Sequence, residues 1–107
     1  MDGLNWDKEF ALEQAADDAD LLQELLEIFK DSYGNDLALI KSGVEEGNAS
    51  AISGAAHSIK GAAASLGIHG IRDLALSIEA DARNDSLAVA KENIAQLEHL
   101  YEELKQL

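Results

Sequence analysis

Apolar side chains recur every three or four residues along most of the chain, the spacing of one face of an amphipathic helix. The longest run is Leu22, Leu26, Phe29, Tyr33, Leu37, Ile40 and Val44. It passes through Gly34 without a break and predicts one long helix over 19–46. Ahead of it, Trp6 to Ala16 predicts a short helix, and Asp17, Asp18 and Asp20 supply N-cap chemistry, with Asp20 and Gln23 at capping-box spacing. Gly47 and Asn48 close the long helix and open a third, Ala49 to Leu66, which meets Gly67 at the C′ position. A fourth is predicted over Ile71 to Arg83. Asn84, Asp85 and Ser86 cap a fifth, whose Leu87, Ala90, Ile94, Leu97, Tyr101 and Leu104 keep the repeat to the end. Short connections make successive helices antiparallel. The expectation is an all-α protein, an antiparallel four-helix bundle with a short N-terminal capping helix, forming one domain over 1–107.

The third helix departs from the usual amphipathic pattern. At about 100° per residue, Ile52, Ala55, Ile59, Ala62, Ala63 and Leu66 form its core stripe. The opposite face carries Gly54, His57, Ser58, Gly61, Ala64 and Ser65, the smallest side chains with one imidazole among them. An exposed helix face ordinarily carries long polar residues, and each glycine here costs about 1 kcal/mol relative to alanine. Such a face lets a second surface approach the backbone and leaves the imidazole as its tallest group. A neutral imidazole nitrogen is a nucleophile, and an imidazole's reference pKa of about 6.5 leaves most of it unprotonated at neutral pH. Lys60 lies on the flank one turn away, where an ammonium can offset charge on a phosphoryl group carried by that nitrogen. The constellation suits phosphoryl transfer.

Composition narrows the partners. Lys and Arg number 8 against 21 Asp and Glu, a net charge of −13, which disfavours nucleic acid and anionic membrane surfaces. The 107 residues contain no Cys, which removes disulfides, thiolate nucleophiles and thiolate metal sites, and no Pro. The amino terminus is acidic and lacks the apolar stretch of a secretion signal, so a cytoplasmic protein is expected. There is no Gly-rich phosphate loop, P-loop lysine or Mg²⁺-binding acidic cluster, so the phosphoryl group is expected to come from a partner rather than from ATP bound here.

His57, Ser58, Ile59, Lys60 and Gly61, followed by Leu66 and Gly67, match H-x-[IL]-K-G-x-x-x-x-[LI]-G, the signature of histidine-containing phosphotransfer domains. A chance match is on the order of one in a million per position. The chain resembles that family over nearly its whole length, including the acidic opening of the long helix at 18–29 and the pattern at 74–83. The resemblance implies that His57 is the phosphoacceptor, Lys60 its basic neighbour, and Gly61 a position kept small for a docking receiver domain. Glu79 falls where the family places a Gln or Glu that orients the imidazole. An i,i+4 surface ion pair with Arg83 is an equally good reading of Glu79. The departures are Ile59 for the commoner Leu and an unusually small stretch around Gly54.

His69, placed in the turn before the fourth helix, and His99 have no partner at metal-ligand spacing and read as surface residues; no metal site is assigned. Leu21, Leu25 and Ile28 turn away from the core stripe of the long helix. The first helix is expected to cover this edge through Trp6 and Phe10, any exposed remainder serving as a docking surface. The expected function is that of a phosphorelay intermediate without kinase activity: His57 accepts a phosphoryl group from a receiver-domain phosphoaspartate and passes it to a second receiver. The expected partners are response-regulator receivers and a hybrid sensor histidine kinase. The docking face would comprise Gly54, Ser58, Gly61, Ala64, Ser65, Leu21 and Leu25, on a chain acting as a monomer. No cofactor is expected on this chain, the Mg²⁺ sitting on the receiver. A rival reading is a non-catalytic helical module that binds and sequesters a receiver or kinase, for which a retained His57 and Lys60 have no use. A di-metal bundle would need Glu-x-x-His pairs, which are lacking.

Overall fold

Five helices follow one another: α1 (Lys8–Gln14), α2 (Ala19–Glu46), α3 (Ala49–Ser65), α4 (His69–Arg83) and α5 (Ala88–Lys105). The computed structural model describes residues 3–107; Met1 and Asp2, part of the acidic amino terminus, lie outside the described residues. The helices α2 to α5 pack in a ring, each against the next and α5 back against α2. Antiparallel order is fixed by the connections: Gly47 and Asn48 reverse the chain after α2, Gly47 with a left-handed φ of 69°. Asn48 then caps α3 by accepting from the Ala51 amide at 3.0 Å.

Helix α2 has 28 residues, and at about 1.5 Å per residue it spans the 42 Å long axis of the molecule. Of its predicted core residues, Leu22, Leu26, Phe29, Tyr33, Leu37 and Ile40 are buried and Val44, near the end of the helix, is half-buried. The Tyr33 ring stacks on Tyr101 at 5.3 Å, and its hydroxyl donates to the Leu97 carbonyl at 2.7 Å, which satisfies the one polar atom this ring brings into the core. Gly34 is explained by the same contact, since a Cβ there would stand 2.7 Å from the Tyr101 hydroxyl.

The structure corrects several element boundaries. The first helix starts at Lys8 rather than Trp6, because Asp7 is its N-cap and accepts from the Phe10 amide at 3.1 Å. It stops at Gln14, where Ala16 and Asp17 turn left-handed with φ of 55° and 59°. Asp18 alone caps α2, accepting from the Asp20 and Leu21 amides. The Asp20–Gln23 capping box does not form, as the Gln23 amide instead reaches Glu27 and the Leu107 carbonyl. Helix α4 begins at His69, so this residue lies in the helix rather than in the turn before it. The amides opening α5 are taken by Ser86 and by Asp81 of α4, whereas Asn84 donates back to the Ala80 carbonyl.

Trp6 forms an antiparallel bridge with Ile68, in a leading segment that lies against the α3–α4 connection and in which Asn5 takes a left-handed φ of 48°. The Asp7 amide donates to Gly67 at 2.9 Å and the Gly70 amide to Leu4 at 2.8 Å. The Trp6 indole donates to the Leu66 carbonyl at 2.9 Å. This close pairing requires a glycine at 70, where a Cβ would lie 1.9 Å from the Gly3 carbonyl oxygen. The leading segment and α1 thereby anchor the turn that joins the two site-bearing helices. They do not cover the apolar edge of α2: Trp6 and Leu12 gather with Leu22 and Leu26, while Leu21 and Ile28 stay exposed.

Candidate functional site

The tightest helix pair is α3 with α4, and this packing builds the site. The small side chains of α3 allow the close approach: Ala55, Ala56, Ile59 and Ala63 are buried, Ala56 being a core residue that the predicted stripe omits and Ala62 being only half-buried. On the outer side of the helix Gly54, His57, Ser58, Gly61 and Ser65 are exposed and Ala64 is half-buried. A Cβ at Gly54 or Gly61 would meet nothing within 4 Å. Internal packing therefore does not demand these two glycines, unlike Gly34 or Gly70.

Glu79 sits on α4 beside the buried residues Ile78 and Ala82 and is only 1% exposed. Its Oε2 lies 2.8 Å from His57 Nδ1 and 2.7 Å from an Arg83 guanidinium nitrogen, and its Oε1 lies 2.6 Å from Lys60 Nζ. Both readings of Glu79 are thus realised at once, the Arg83 pair and the imidazole contact, and the carboxylate that makes them is buried rather than on the surface. The hydrogen bond from Lys60 holds this carboxyl below the usual glutamate range; burial opposes it, and the His57 bond and the Arg83 charge add to it.

An ionised carboxylate can only accept, so His57 Nδ1 carries a proton and donates it to Glu79. In the neutral ring this leaves the lone pair on Nε2, on a side chain that is 62% exposed. No described residue hydrogen-bonds to Nε2. Lys60, expected on an open flank, is half-buried with its ammonium turned onto Glu79. On the α2 side of the same face, burial pushes the Asp36 carboxyl up, partly offset by a hydrogen bond from Ser58, and its Oδ2 is enclosed without a partner. Helix periodicity alone does not single out this second carboxylate.

Next to α3, the α2 residues Leu25, Ile28, Phe29 and Ser32 line a groove of about 340 Å³ with Ala62 and Ser65. Leu21 and Ile28, the latter 64% exposed, leave the rim of this face apolar. The other two histidines lie elsewhere. His99 Nε2 pairs with Glu103 at 2.8 Å on α5. His69 is half-buried rather than on the surface, with Nδ1 enclosed and unpartnered at the start of α4.

The Hpt domain description matches residues 24–107, most of the chain, and the chain belongs to the Hpt domain family. This family comprises phosphotransfer modules of two-component signalling, phosphocarriers rather than kinases, which work with response-regulator receivers and hybrid kinases. Comparison with curated proteins finds no match. Among solved structures, the HPT domain of the Hpt sensor hybrid histidine kinase from Shewanella superposes with a TM-score of 0.79, over 98% of this chain and 94% of that one, at 19% identity. That likeness establishes the helical-bundle fold. Among the described residues, no helix is long and apolar enough to cross a membrane.

Proposed function

We propose that the chain carries a phosphoryl group on His57 Nε2, received from the phosphoaspartate of one receiver domain and passed to the aspartate of another. The observation that supports this reading is the Glu79 contact at 2.8 Å: with Nδ1–H donating to the carboxylate, the neutral ring has its lone pair on the exposed Nε2. In the forward step the Nε2 lone pair forms the N–P bond while the acyl phosphate P–O bond breaks, and the departing electron pair restores the aspartate carboxylate. The ring becomes a phosphorylated imidazolium whose Nδ1–H still faces an anionic acceptor, so Glu79 stabilises the charge that develops. Lys60 stands beside the same carboxylate and can turn to the phosphoryl oxygens. The reverse step hands the group to the second receiver.

The docking platform in this reading is the small face of α3, Gly54, Ser58, Gly61, Ala64 and Ser65, extended by Leu21 and Leu25 on α2. The open space above Gly54 and Gly61 supports it, because a Cβ at either position would meet nothing within 4 Å. The divalent cation that receivers use would come with the partner, and this chain would contribute a positioned nucleophile and a landing surface. Incubation with phosphorylated receivers tests the reading: wild-type chain gains acid-labile, alkali-stable label and His57→Gln gains none.

A further inference from the structure

We propose that Arg83 is a positioning residue for His57, acting through Glu79: it shares the carboxylate oxygen that holds Nδ1–H and so keeps the imidazole neutral with Nε2 open. This inference rests on the reading of His57 as the phosphoacceptor. A buried carboxylate facing an imidazole by itself favours the imidazolium, and in that form Nε2 holds a proton instead of a lone pair. The structure shows how the pull is restrained. Glu79 Oε2 lies between His57 Nδ1 at 2.8 Å and Arg83 at 2.7 Å, so one oxygen serves both donors. Lys60 occupies the other oxygen at 2.6 Å. One negative charge thus faces two permanent positive ones, and its attraction for a further proton on the ring is already compensated.

Arg83 is suited to this task because its guanidinium stays charged at every accessible pH and its planar fork fixes the carboxylate in orientation. It comes one turn after Glu79 on the same helix, so the pair is local to α4. The charged groups that face the ring region are Lys60 from α3, Glu79 and Arg83 from α4, and Asp36 from α2, which lies against Ser58. Of these only Arg83 shares the oxygen that His57 uses, and its guanidinium is itself well exposed, so replacing it leaves the core untouched.

The test is single-turnover labelling of the full chain by phosphoramidate across about pH 5.5 to 9, for wild type, Arg83→Gln and Arg83→Lys, each first shown folded by thermal melting. Arg83→Gln is expected to move the midpoint of the rate profile upward by about half a pH unit or more while keeping the high-pH plateau, and Arg83→Lys to restore most of the shift. A midpoint in Arg83→Gln equal to wild type overturns the proposal, whatever happens to the plateau. The ring protons of His57 followed by NMR over the same range report the midpoint with no phosphodonor present. A wild-type chain that takes no label at His57 would defeat the phosphoacceptor reading, and the NMR midpoints would still decide the role of Arg83.

Discussion

His57 Nδ1 and Glu79 Oε2 lie 2.8 Å apart although 22 residues separate them along the chain. One is on an exposed helix face and the other is buried, so a surface imidazole is oriented by an interior carboxylate. In the neutral ring that contact favours the tautomer with the proton on Nδ1, and the α3–α4 packing sets the contact.

The charge on Glu79 gives the fold a pH dependence of definite sign. Its folded-state pKa is depressed, so its contribution to stability is complete above the ordinary glutamate value of 4.5 and is lost as pH falls through the lower folded value. Glu79→Gln keeps the shape and an acceptor for Nδ1–H but removes the charge. It is expected to lower stability at pH 7 by roughly 1.5–3 kcal/mol, the range for hydrogen bonds to a charged group. Urea unfolding between about pH 3 and 7 should show the gap from wild type closing as the solution is acidified. A gap that stays constant would mean the carboxylate is not held ionised by its partners.

Lys60→Ala should separate stability from transfer. Losing one hydrogen bond to Glu79 from a half-buried side chain costs about 1 kcal/mol, which a thermal melt resolves. Transfer from a phosphorylated receiver should slow by about one to two orders of magnitude, the worth of one electrostatic donor at the site of charge development. An unchanged single-turnover rate would show that the receiver supplies all the charge compensation.

Much of this molecule is legible in its sequence because helix periodicity is a local property. The bounds of α2 follow from apolar spacing that continues through Gly34, and the α3 start follows from Gly47 and Asn48. What the sequence hides depends on contacts between distant segments. Trp6 reads as helical by its neighbours, yet it bridges to Ile68 while the Asp7 amide donates to Gly67, and these contacts hold it outside the helix. Ala56 is an exception of another kind: about 20° from Ala63 on a helical wheel, it belongs with the core stripe by spacing alone, and it is fully buried. The position of Glu79 beside a core stripe and four residues before Arg83 is visible in the sequence. Its simultaneous grip on His57, Lys60 and Arg83 depends on the register between α3 and α4, which periodicity does not encode.

Gly61→Gln tests the reason for the small face. A Cβ there meets nothing within 4 Å, so the side chain enters open space and the higher helix propensity should leave stability equal or raise it by up to about 1 kcal/mol. Receiver affinity and receiver-dependent transfer should both fall sharply, because the glutamine stands one turn from His57 on the approach side. Labelling by phosphoramidate, which needs no platform, should persist. Unimpaired receiver transfer in this variant would leave the glycine face without a docking role.

The most direct test of the central claim is transfer of labelled phosphate from a phosphorylated receiver to the wild-type chain and to His57→Gln, His69→Gln and His99→Gln in parallel. Wild type, His69→Gln and His99→Gln should become labelled with an acid-labile, alkali-stable bond, and His57→Gln should stay unlabelled. Label appearing in His57→Gln at the wild-type level would contradict the claim.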